Sequence, residues 1–143
     1  MLKGNVQAIQ TLVDTIIPGV QYYIGYLPDA FTLPAVHFAV ESLTEEHLSK
    51  SIFNREAAMK VTYYPTKDGE GLIDGLDLLD KMGQISEQLL YDEYLVAPDG
   101  TNSQVLETSS FTETDHGIIK IKLETQIIKP DETYEYMNEV QMN

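Results

Sequence analysis

The chain has 143 residues, 43% of them hydrophobic, with 23 Asp and Glu against nine Lys and Arg for a net charge of −14. Its length and apolar content suit one globular domain with a substantial core and exclude wholesale disorder. The charge excludes a phosphate-gripping surface, which needs clustered cations, and the lack of cysteine excludes disulfides, thiolate metal sites and a cysteine nucleophile.

Residues 5–17, NVQAIQTLVDTII, place Val6, Ile9, Leu12, Val13, Ile16 and Ile17 at helical spacing. Asn5 is the expected cap and Pro18-Gly19 the stop. Two alternating runs follow: Val20, Tyr22, Ile24 and Tyr26 share one face, then Val36, Phe38 and Val40. The link between them, LPDAFTLP, is half apolar. Phe31 and Leu33 are expected either to fold back over the helix-covered face or to stand out as a knob pinned by Pro28 and Pro34. Residues 42–55 are polar, and Ser42-x-x-Glu45 has the form of a capping box, which predicts one helical turn.

A third strand in EAAMKVTYYP carries Met59, Val61 and Tyr63 on one face and ends at Pro65. TKDGEG is a turn. Residues 72–90 read as a helix with a stripe of Leu72, Leu76, Leu79, Met82, Leu89 and Leu90, weakened at Gly75 and Gly83. Residues 94–129 read as two or three strands, with turns at Pro98-Asp99-Gly100 and Asp115-His116-Gly117. In the last strand Ile119, Ile121, Leu123 and Ile127 face inward, and Pro130 closes it. The expected fold is a single α+β domain over residues 1–130, a mainly antiparallel sheet with two principal helices packed on one face. Residues 131–143 are expected to be a C-terminal tail or arm.

Tests for catalytic chemistry give little. Asp68, Glu70, Asp74, Asp77 and Asp80 lack the alternating ligands of a calcium loop, and on a helix they drift around the axis at about 100° per residue. They read as a solvated helix face. His37, His47 and His116 show no zinc-helix spacing, and no nucleophile elbow or phosphate loop occurs. The nine tyrosines lack the basic groove of a single-strand stacking platform. No catalytic, cofactor or metal residue is expected. No window is long and apolar enough to span a bilayer and no secretory leader is visible at the start, so the cytoplasm is the expected compartment.

The order of elements, with Phe31, Pro34, Ala35, Val36 and Phe38 followed by Val61, Tyr63 and Pro65, resembles the tail terminator (tail completion) proteins of long-tailed bacteriophages and defective prophages. In that family a strand of the form f..PAvhf precedes a polar loop, then a v.v.Y.p strand and the second helix. The resemblance implies a structural virion protein without cofactor or catalysis. The resemblance further implies a ring of six copies that caps the tail tube and meets the head or neck. Its implied partners are further copies of itself, the tail tube protein and a head-completion protein, with DNA only passing through the lumen and no membrane. An acidic lumen suits that passage, although charge also serves plain solubility. Alternatives are another neck or minor tail component and a small cytoplasmic ligand-binding protein or enzyme. Exposed position and composition single out Leu27, Phe31, Leu33, Glu45, Glu46, Tyr134 and Tyr136 as candidate assembly contacts.

Overall fold

A computed structural model of the protein describes residues 2–128. Helix α1 (Leu2–Ile16) leads into strand β1 (Gln21–Ile24), followed by β2 (Ala35–His47) and β3 (Ile52–Tyr64). Helix α2 (Gly75–Asp92) comes next, then β4 (Tyr94–Val96), β5 (Asn102–Thr112) and β6 (Gly117–Ile128). The six strands form one curled sheet in the order β1-β2-β3-β6-β5-β4. Both helices lie on one face, as expected of the α+β class, and the core fills the space between them. Val36 and Phe38 from β2, Val61 from β3, and Ile119, Ile121 and Leu123 from β6 are buried against Ile9 and Val13 of α1 and Leu78, Ile85 and Leu89 of α2.

Several expectations are corrected. α1 starts at Leu2, so Asn5 is no cap. It is buried instead, and its Oδ1 accepts a 2.8 Å hydrogen bond from the Ser103 hydroxyl, which also bonds Thr125 Oγ1 at 2.6 Å. This small network ties the first turn of α1 to β5 and β6. Partners this distant in sequence leave no local signal, so a polar residue at the head of an apolar run reads as a cap. Gly4, one residue earlier, lets α1 approach the sheet: a Cβ there would lie 2.7 Å from the Ala97 methyl.

The stretch 42–55 forms no helical turn. It is the far half of a long hairpin, with Thr44 opposite Glu56 and Glu45 opposite Arg55. Cross-strand partners and edge position decide strand formation more than intrinsic preference does, and the capping-box residues simply occupy ladder positions. α2 runs unbroken through Gly83, and Asp74 caps it by accepting from the Leu76 and Asp77 amides. Its buried stripe is Leu78, Met82, Ile85 and Leu89; Leu76 and Leu79 face solvent, as do Leu72 ahead of the helix and Leu90 within it. Leucines at helical spacing occur on both sides of this helix, so periodicity alone admits two registers.

β1 and β2 pair in parallel, Tyr22 beside Val36 and Ile24 beside Phe38, whereas every other neighbouring pair is antiparallel. The connection 25–34 must therefore return to the end where β1 began, crossing the sheet rather than turning tightly. The Gln21 amide donates to the Pro34 carbonyl and the Gly25 amide to the Phe38 carbonyl, pinning both ends of that crossover.

Candidate functional site

The crossover explains the apolar link. Phe31 lies on the sheet face opposite the helices, against Tyr64 at 4.7 Å and Tyr23 at 6.1 Å between ring centroids. Tyr64 continues the stack to His116 at 5.3 Å. The Tyr23 hydroxyl accepts from the Thr32 amide, and His37 Nε2 bonds the Gly25 carbonyl at 2.7 Å. Phe31 and Leu33 are half-buried, so neither packs on the helix-covered face and neither stands out as a free knob. A parallel pair needs a connection that returns across the sheet, and here that connection carries Phe31 over the face away from the helices. Leu27 is half-buried as well.

A shallow cleft of about 380 Å³ lies beside this loop, lined by Phe31, Leu33, Tyr64 and Pro65 with Asp29, Lys67 and Asp115. Burial, then the Asp115 charge, pushes the Tyr64 hydroxyl above its ordinary value. The His116 ring bonded to Asp115 at 2.6 Å draws that carboxyl below the usual range. Among the described residues no three His, Cys, Asp or Glu side chains converge on an ion position. The acids after β3 serve the backbone instead: Asp68 Oδ1 accepts from the Glu70 and Leu72 amides, and Asp74 caps α2.

Glu45 and Glu46 sit on the projecting hairpin, where they point to opposite faces. Glu45 Oε1 accepts from both Nε and Nη2 of Arg55, at 2.8 and 2.7 Å, and so stiffens the hairpin. Glu46 is exposed on the other face. Beyond His37 and Phe38, where β1 stops, no strand among the described residues lies beside the outer edge of β2. On β5 the β4 ladder ends at Gln104, and after the Val105 amide, which donates to the Glu93 carbonyl, no further strand among the described residues lies beside its outer edge. Each open edge carries a register shift, at Glu41 and at Leu106, of the kind that discourages indiscriminate strand pairing. Tyr134 and Tyr136, with the predicted stop at Pro130, lie outside the described residues.

Sequence reasoning missed a second concavity. An open groove of about 840 Å³ runs between α1, the end of α2 and β4, with Leu12 and Leu95 in its floor and Asp92 and Gln88 on its rim. Val96, 60% exposed, and Tyr94 flank it on the terminal strand. No local pattern in the sequence marks it, because its walls come from three separate elements. Among the described residues no helix is long and apolar enough to cross a membrane. No family model matches the chain, and no curated protein is significantly similar to it.

Proposed function

We propose that the chain is a ring-forming structural subunit of a long-tailed phage particle, a tail terminator that caps the finished tail tube and presents the opposite ring face to the head or neck. One observation carries this reading. The two stretches on which the resemblance rests form one structural unit: Val36 pairs with Tyr63 and Phe38 with Val61. Pro34 precedes the first strand and Pro65 follows the second at the same end of the pair, where Ala35 faces Tyr64. Residues that belong to the family pattern are thus cross-strand neighbours, the way a shared fold element would hold them.

Further support comes from the surface. A projecting hairpin, two partly open sheet edges and a groove on the far side are features of a subunit that meets copies of itself. The net charge of −14 suits a lumen crossed by DNA without adhesion. Partners under this reading are other copies of the chain, a tail tube protein and a head-completion protein, and no cofactor takes part. Electron microscopy of particles assembled without the protein tests it. Tubes of uncontrolled length are the expected result. Normal tails without heads would instead identify a connector, and intact particles would overturn the structural role altogether.

A further inference from the structure

We infer that the β2–β3 hairpin tip of one copy seats in the α1–α2–β4 groove of the next, with Leu48 entering the apolar floor and Lys50 meeting the acidic rim at Asp92. This deepens the proposed ring and rests on it, because it names the two surfaces that would join neighbouring subunits.

The tip is built as a rigid projection. The Leu48 and Ser49 amides both donate to the Ile52 carbonyl, and Ser49 Oγ accepts from the Ile52 amide at 3.2 Å. Leu48 is 53% exposed and packs under nothing in its own subunit that hides it. A turn closed in this way has little ordering entropy left to lose on docking.

Charge selects the groove as its receptor. Of the connections between described elements, residues 48–51, LSKS, are the only one with net positive charge; every other one is neutral or acidic. The groove is its complement: no lysine or arginine lines it, and Asp92 and Gln88 stand on its rim with Glu93 next in sequence. The C-terminal residues 129–143, KPDETYEYMNEVQMN, are the obvious competitor for the groove. They carry four carboxylates against one lysine, so the rim that would attract Lys50 repels them.

Placement fits as well. The tip continues the β2 side of the sheet, while β4 is the terminal strand at the other edge. A knob and a socket on separate surfaces of one subunit make a head-to-tail contact when each copy docks on the next, and such contacts close into a ring when the rotation permits.

The natural absence of cysteine makes the test clean. In the full chain, Leu48→Cys with Val96→Cys should give a ladder of disulfide-linked oligomers on oxidation, whereas Leu48→Cys alone stops at dimers. Lys50→Glu should weaken association by about tenfold, and adding Asp92→Lys should restore it. An assembly that caps tubes yet gives no ladder and ignores Lys50→Glu overturns this contact and leaves the ring reading standing. A chain that neither associates nor caps tubes overturns both. A link formed within one chain, or between a groove cysteine and a cysteine placed in 129–143, overturns the tip as occupant.

Discussion

Two phenylalanines on opposite faces of one sheet offer a direct test of where the crossover loop packs. Phe38 is 1% exposed beneath the helices, with Tyr22 stacked on it at 5.9 Å. Phe31 is half-buried on the outer face between Tyr23 and Tyr64. Truncating a fully buried phenylalanine to alanine removes its transfer energy and leaves a cavity, about 4 kcal/mol in total. Phe38→Ala should lose that amount. Phe31→Ala keeps part of its surface in water already and leaves an open dent rather than a closed cavity, so about 2 kcal/mol is expected. With a urea slope of about 2 kcal/mol per molar, the midpoints should fall by roughly 2 M and 1 M. Urea titration followed by far-ultraviolet circular dichroism measures both. Equal losses would refute the placement of Phe31 outside the main core, and an unchanged Phe31→Ala midpoint would refute its packing against Tyr64.

Three more predictions concern single contacts. Ser103→Ala leaves the buried Asn5 carboxamide oxygen without its donor and Thr125 without its partner; a loss of about 2 kcal/mol is expected in the same titration, and one below about 0.5 would contradict the network. The Tyr22 hydroxyl, which donates to Asp14 Oδ1 at 2.5 Å, is held far above its ordinary value of 10.0 by burial, then by that hydrogen bond and the Asp14 charge. The unfolded chain therefore ionises first, so the stability this group contributes is complete below pH 10 and declines as pH rises beyond it. Tyr22→Phe should flatten the alkaline decline seen in midpoints from pH 8 to 11, and identical slopes would refute the assignment. On the hairpin, Glu46→Lys should leave stability within about 0.5 kcal/mol of the natural chain, while Glu45→Lys, which sets two cations face to face, should lower it by up to about 1 kcal/mol by thermal melting.

How far the sequence could be read depends on the range of the forces involved. The strand of Ile119, Ile121 and Leu123, the turns at Pro98 and Asp115, and the helix stop at Pro18-Gly19 are set by local alternation and backbone chemistry, and all are found where they are expected. Failures fall where a distant partner decides. Asn5 resembles a cap until Ser103 arrives from the far end of the chain. Ser42 and Glu45 resemble a capping box until Arg55 pairs with Glu45 across the hairpin. The parallel pairing of β1 with β2 depends on the loop crossing the sheet, and with it the face that Phe31 covers. In α2, two leucine stripes compete and only packing against the sheet selects Leu78, Ile85 and Leu89. The groove was invisible because its walls come from three elements that sequence spacing does not connect. Of the expected contacts, the structure brings Leu27, Phe31 and Leu33 together in one loop and puts Glu45 and Glu46 on a separate hairpin.

The proposed role, closing the end of a tail tube as a ring, can be tested on tubes themselves. Adding purified protein to polymerising tail tubes, with negative-stain microscopy of the tube ends and native mass measurement of the released caps, tests it most directly. Tubes are expected to stop growing, each bearing a ring of several copies at one end. Tubes that lengthen unchecked, with the protein remaining monomeric beside them, would contradict it.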